Sequence, residues 1–179
     1  MFLATQTAGA AMGFKQAFGL AMIMVASAGY AGAGDLPAPS GDVILTIGGK
    51  ISNSNGDNRA QFDMAALKAL DATTIVTATP WTDGDQTFVG VDLHKLMQTI
   101  GAHGDMLVVT ALNDYQVSVP IADFAAYHPI LAYERNGVPM PVSDKGPLFI
   151  VYPYDSDPQL RNDVFYTRSA WQVASIVVE

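Results

Sequence analysis

The hydrophobic and polar positions along the chain change period several times, and each change marks an element. Val43 to Ile47 alternates as a strand should, and the polar stretch GGKISNSNGDNRAQ after it predicts a hairpin with a hydrophilic tip. In FDMAALKAL, Asp63 is a good helix N-cap, and Met64, Leu67, Lys68 and Leu70 give a short helix that ends before Thr73. Thr73 to Thr79 is β-branched and predicts a strand that runs into the turn of TATPWTDGD, residues 77–85. Thr87 to Val91 predicts a brief extended segment. Asp92 then caps LHKLMQTI, where Leu93, Leu96, Met97 and Ile100 recur at i, i+3, i+4 and i+7, and Gly101 closes the helix.

Further on, MLVVTALNDYQVSVPI predicts two strands around Asn113-Asp114, and ILAYERNGVPMPV predicts two more around Asn136-Gly137, the strongest short hairpin signal in the chain. GPLFIVYPYD predicts another strand, DSDPQLRND a loop, and WQVASIVV a final strand. Many short strands with two or three short helices between them, and no internal repeat, predict one α+β, mostly β domain.

The N-terminal stretch has a different character. Met1 to Ala33 carries one charge, Lys15, followed by the apolar run AFGLAMIMVASAGYAGA and the small-x-small sites Ala26-Ser27-Ala28 and Ala31-Gly32-Ala33. That layout predicts a secretory signal peptide over residues 1–33, cleaved after Ala33, and hence a periplasmic protein. Met12 is an alternative start, and an uncleaved anchor is the competing reading. Residues 34–42 contain the Pro-rich stretch DLPAPSGD and are expected to act as a tether, with the domain itself spanning 43–179.

Without residues 1–33 the chain keeps 8 basic and 17 acidic side chains, a formal charge of −9. Such a surface argues against nucleic acid or an anionic membrane as partner, because both need clustered cations. The sequence holds no cysteine, which excludes disulfides, iron–sulfur clusters, Cys-x-x-Cys-His haem attachment and any thiolate metal ligand. His94, His103 and His128 form no ligand pair; NSNGDN at 53–58 and DSDP at 155–158 imitate calcium loops, but the first lacks the terminal bidentate glutamate and reads as a polar hairpin tip. No metal site is expected. Nor is a hydrolase indicated, since there is no G-x-S-x-G and Ser169 has no neighbouring histidine.

More telling is an association of aromatic, acidic and hydroxyl residues at turns: TPWTDGD, LNDYQ, VYPYDSD and TRSAW. Trp81, Tyr115, Tyr152, Tyr154 and Trp171 lie at or near strand ends, where loops tend to carry function. A planar polar heterocycle suits such a rim, because it can stack on an aromatic face while a carboxylate accepts paired N–H donors. Partly buried aromatics that merely cap a core fit the same pattern.

From about Thr73 to Val178 the order of segments resembles the molybdopterin-binding domain of the sulfite oxidase superfamily. TFVGVDLHKLMQTIGA is similar to that family's G-V-x-L-x-x-L-L-x-x-x-G, ALNDYQVSVPI to its S-x-D-G-Y-x-x-x-I-P, and ILAYERNGVPMPVSDKGPLFIVYP to its L-A-x-x-x-N-G-x-P-L-x-x-x-H-G-x-P-x-R-L-V-x-P. The resemblance implies a mixed-sheet, mostly β fold with a pterin-type pocket at loop ends. Two departures bear on function. Family enzymes hold molybdenum through a cysteine after the strand equivalent to Thr73–Val76, where this chain reads Thr77-Ala78-Thr79-Pro80-Trp81. Their His-Gly-x-Pro-x-Arg segment is here DKGPLFI, with Asp144 and Lys145 before the glycine and no arginine after Pro147.

In these respects the chain is similar to small periplasmic pterin-binding proteins that regulate membrane-bound cyclic-di-GMP enzymes or sensor histidine kinases. The resemblance implies a non-catalytic protein with no tightly bound cofactor, taking an unphosphorylated pterin and modulating a membrane partner. Trp81 and Tyr115 or Trp171 would then stack on the ring, Asp83 or Asp114 would accept its N–H pair, and Arg168 would donate to its carbonyl. The alternatives are a molybdopterin-dependent oxidoreductase whose metal has no cysteine ligand, and a structural adaptor whose pocket has filled with side chains.

Overall fold

The computed structural model describes residues 36–179, so the expected signal segment lies outside the described residues. The alternating stretch expected at Val43 to Ile47 forms β1 two residues later, at Leu45–Gly49, and pairs antiparallel with β2 (Ala60–Phe62) across the polar loop. Asp63 caps α1 (Met64–Ala69), accepting from the Ala66 N–H at 2.6 Å. β3 (Ala72–Ala78) and β4 (Asp85–Asp92) then form a hairpin in register from Ala72 opposite Val91 to Ala78 opposite Asp85, with Trp81 in the connection. Asp92 caps α2 (Leu93–Thr99), and the apolar stripe read from the sequence is buried at Leu93, Leu96, Met97 and Ile100.

β5 (Met106–Ala111) and β6 (Gln116–Pro120) flank the Asn113-Asp114 turn, and β7 (Ile130–Arg135) and β8 (Val138–Pro139) flank Asn136-Gly137. Both of the latter turn residues have positive φ, 53° and 79°, as a tight hairpin turn requires. β9 (Phe149–Val151) pairs with β7, and β10 (Val173–Val178) ends the chain's regular structure.

Two helices were not foreseen as elements, α3 (Ala122–Tyr127) and α4 (Asp163–Arg168). Each has six residues, too short for a periodic stripe to emerge, and α4 is built from Val, Phe, Tyr and Thr, which favour strands. What holds α4 is its ends. The Asn162 side chain accepts from the Val164 N–H at 2.8 Å, Asp163 lies in the first turn, and Arg168 in the last.

The strands form two five-stranded sheets, ordered β2-β1-β10-β5-β6 and β3-β4-β7-β8, with β9 also on β7. In the first sheet β10 inserts between β1 and β5, parallel to β1 and antiparallel to β5, so the last strand completes the centre of the sheet. Inward residues of both sheets, among them Leu45, Ile47, Val109, Leu131 and Ile150, meet the buried face of α2 in one core. The second sheet is bulged between Val89 and Gly90, where β4 approaches β7 so closely that a Cβ on Gly90 would fall 2.2 Å from the Leu131 carbonyl oxygen.

The residues before β1, expected as a tether, lie along the domain. The backbone N–H groups of Ser40 and Gly41 donate to Asp63 Oδ2 at 2.7 and 2.6 Å, and the Ser40 hydroxyl donates to it at 3.0 Å. Farther back, Asn55 Nδ2 donates to the Pro37 carbonyl at 2.8 Å, and the Leu36 N–H donates to the Ser54 carbonyl at 3.0 Å. Asp63 therefore accepts four hydrogen bonds, and the backbone donors, Ala66 first, hold its carboxyl down at about 2.

Candidate functional site

The ends of β3 and β5, the start of β6 and the residues leading into β10 meet around a cavity of about 620 Å³. Its lining combines the aromatic rings of Trp81, Tyr115, Tyr166 and Trp171 with the polar residues Asn113 and Asp163. This is within the usual range for small-molecule sites.

Trp81 is positioned by the turn that carries it. Thr79 Oγ1 and Thr82 Oγ1 are hydrogen-bonded at 2.7 Å, which closes the turn at the end of β3. The indole then packs edge-to-face against Phe149, Tyr166 and Trp171, with ring centroids 5.7, 5.9 and 5.5 Å away. It is only half buried, so it both covers the core and forms a wall of the cavity. Trp171, 38% exposed, lies against it, and Lys145 Nζ is 5.8 Å from the Trp171 ring centroid.

The backbone around Trp171 joins the two sheets. The Ile150 N–H donates to the Ala170 carbonyl and the Val173 N–H to that of Leu148, while the Leu112 N–H donates to the Gln172 carbonyl at the end of β5. Trp171 is thus held by hydrogen bonds on both sides of its segment. Ser169, just before it, is buried, and its hydroxyl is bonded to the Tyr154 hydroxyl and to the Phe165 carbonyl at 2.8 Å. Burial pushes the Tyr154 phenol well above its ordinary pKa, so it stays protonated and offers Ser169 no base.

Of the six residues singled out from the sequence, Trp81, Tyr115 and Trp171 line this cavity and Asp83, Asp114 and Arg168 are not among its lining residues. Asp83 is exposed in the turn beyond Trp81, where its carbonyl accepts from Gln86 Nε2 at 2.8 Å. Asp114, at φ 64°, is the left-handed residue of the β5–β6 turn, and its neighbours Asn113 and Tyr115 supply the lining. Arg168 is turned toward α3. Its guanidinium donates to Asp123 Oδ2 at 2.8 Å, and the Tyr152 hydroxyl donates to the same oxygen at 2.8 Å.

The carboxylate that does line the cavity is Asp163, on α4 beside Tyr166 and Thr167. Its signal in the sequence was the pair Asn162-Asp163, a capping residue followed by an acid, with Arg168 at the far end of the same short stretch.

The region that holds the metal-binding cysteine in family enzymes is here tied internally. Thr77 is buried, its Oγ1 accepts from the Asp155 N–H at 3.2 Å, and Asp155 Oδ2 accepts from the Ala78 N–H at 2.7 Å. That backbone bond, together with Arg161, keeps the Asp155 carboxyl below the usual range. Among the described residues no group of three or more His, Asp or Glu side chains is placed to hold a metal ion. Cations are likewise committed elsewhere: Lys68, Lys95, Arg135, Lys145, Arg161 and Arg168 each pair with a carboxylate, and none of them lines the cavity.

No curated protein matches the chain. The family model for the oxidoreductase molybdopterin binding domain matches residues 45–155, from β1 through β9. This stretch includes Trp81 and Tyr115 and stops short of α4 and Trp171. Covering more than half of the sequence, and joined to a mostly β fold with a mixed sheet, the match establishes that this chain belongs to the oxidoreductase molybdopterin-binding domain family.

Proposed function

We propose that this domain is a non-catalytic receptor for an unphosphorylated pterin, stacked on the exposed faces of the Trp81, Tyr115 and Trp171 wall, and that it modulates a membrane-bound signalling partner from the periplasm. One observation carries the reading: an aromatic-walled cavity whose only charged lining residue is a carboxylate. Aromatic faces bind a flat ring by stacking, and a carboxylate accepts N–H groups at its edge.

The family's own cofactor fits these residues poorly. Molybdopterin carries a phosphate and presents its metal to a protein ligand, so it calls for cations and, in the enzymes of the family, a thiolate. Here the cavity lining contains no Lys, Arg or His, Asp163 would repel a phosphate, and the sequence has no cysteine. A neutral heterocycle meets none of these penalties. The oxidoreductase alternative would be supported by purified protein carrying near-stoichiometric molybdenum and its organic cofactor.

The expected export signal supports the periplasmic part of the reading, and the resemblance to periplasmic pterin-binding regulators the signalling part. The test of binding is direct, because both tryptophans of the sequence line the cavity. A pterin stacking against them should quench protein fluorescence saturably in the micromolar range. A titration with oxidised and reduced pterins that gives neither quenching nor heat would remove the proposal and leave the structural adaptor in its place. For the partner, a periplasmic sensor domain of a cyclic-di-GMP enzyme or histidine kinase should co-purify in a manner that depends on added pterin.

A further inference from the structure

We infer that Asp163 is the ring-reading residue of this cavity, and that it selects heterocycles with two adjacent N–H donors, as in a 2-amino-4-oxopyrimidine edge, over their 2-oxo counterparts. This rests on the pterin reading above and goes beyond it by naming the specificity determinant.

The argument is one of spare hydrogen-bonding capacity. Among the polar groups lining the cavity, the Ser169 hydroxyl is already bonded to Tyr154 and to the Phe165 carbonyl. Asn113 Oδ1 accepts from the Tyr115 N–H at 3.2 Å, which fixes the amide and leaves its NH2 group as a donor. Asp163 is different. Both of its nearest cations in sequence are engaged, Arg161 with Asp155 and Arg168 with Asp123, and its carboxylate has no ion-pair partner among the described residues. The cavity therefore offers a two-oxygen acceptor and a separate amide donor beside aromatic walls.

A pterin ring presents an adjacent N3–H and 2-amino group to such a carboxylate, two parallel charge-assisted bonds, and a C4 carbonyl to a donor such as Asn113. In lumazine, the 2-oxo analogue, one of those N–H donors is replaced by a carbonyl. That oxygen would face a carboxylate oxygen, so one bond is lost and a repulsion gained.

The test compares pterin and lumazine, two rings of the same size, by calorimetric titration of the full chain. Wild type should bind pterin roughly ten to a hundred times more tightly than lumazine, the scale of a lost hydrogen bond to a charged group. Asp163→Asn, which replaces one acceptor by a donor, should weaken pterin and hold or strengthen lumazine, so the ratio collapses. Asp83→Asn and Asp114→Asn should leave the ratio unchanged. Equal binding of the two rings by wild type, or an equal loss of both in Asp163→Asn, would overturn the assignment while leaving the stacking site in place. If neither ring binds wild type, the pterin reading falls and this inference with it.

Discussion

Asp63 and Asp163 both stand where a short helix begins, and their surroundings differ in every respect that matters. Asp63 is buried, accepts four hydrogen bonds and ties the incoming chain to α1. Asp163 is exposed on a cavity wall, with its neighbouring arginines turned to other carboxylates. A second saturated site, Asp123 with Tyr152 and Arg168, resembles the first. The lesson is that acids whose acceptor capacity is filled from within hold the fold, whereas an acid with unfilled capacity on a concave aromatic wall is equipped to hold something else.

Trp81 straddles the two classes, and its removal should have the largest effect. Trp81→Ala deletes three edge-to-face contacts and part of the lid over the core, and should cost about 2 to 4 kcal/mol in a denaturant melt followed by circular dichroism. Pterin affinity should fall by ~1 to 3 kcal/mol, with Trp81→Phe recovering most of both. An alanine variant as stable as wild type would show that the indole serves the ligand alone.

Next in size is Arg168→Ala, which leaves the nearly buried Asp123 with only the Tyr152 hydroxyl. It should destabilise by about 2 to 3 kcal/mol while the folded protein binds pterin within about threefold of wild type. A selective loss of binding would instead return Arg168 to the ligand.

Asp63 has a pH signature. Its carboxyl sits at about 2 in the folded protein, against about 3.9 for an unfolded aspartate. Its contribution to stability is therefore complete above about pH 4 and is lost as pH falls through about 2. Acid titration of Asp63→Asn should show a correspondingly flatter decline across that window, with lower stability than wild type at neutral pH. Smallest of all, Asp83→Asn and Asp114→Asn should change stability by no more than ~0.5 kcal/mol, because both are exposed and lie outside the cavity lining.

The frame of the molecule was legible where the sequence states its local rules openly. The stripe at Leu93, Leu96, Met97 and Ile100, the caps Asp63 and Asp92, and the Asn136-Gly137 turn each specify one conformation, and each formed it. The site was legible by halves. Aromatics at strand ends converge because strand ends converge, which brought Trp81, Tyr115 and Trp171 to one cavity. Choosing among acids required knowing how a turn is oriented, and in the β5–β6 turn Asn113 and Tyr115 line the cavity while Asp114, the left-handed residue between them, does not. Asp163 was hidden for another reason. Its helix is stabilised at its two ends rather than by a periodic face, and its strand-favouring residues conceal it.

The pinned segment before β1 has a consequence for presentation. Leu36 and Pro37 are bound beside Ser54 and Asn55, in the loop that follows β1, whereas the cavity gathers at the opposite ends of the same sheet, around Ala111 and the residues leading into Val173. The hold on Leu36 and Pro37 and the aromatic cavity therefore lie at opposite ends of one sheet, so a change at the first reaches the second only through the strands between them.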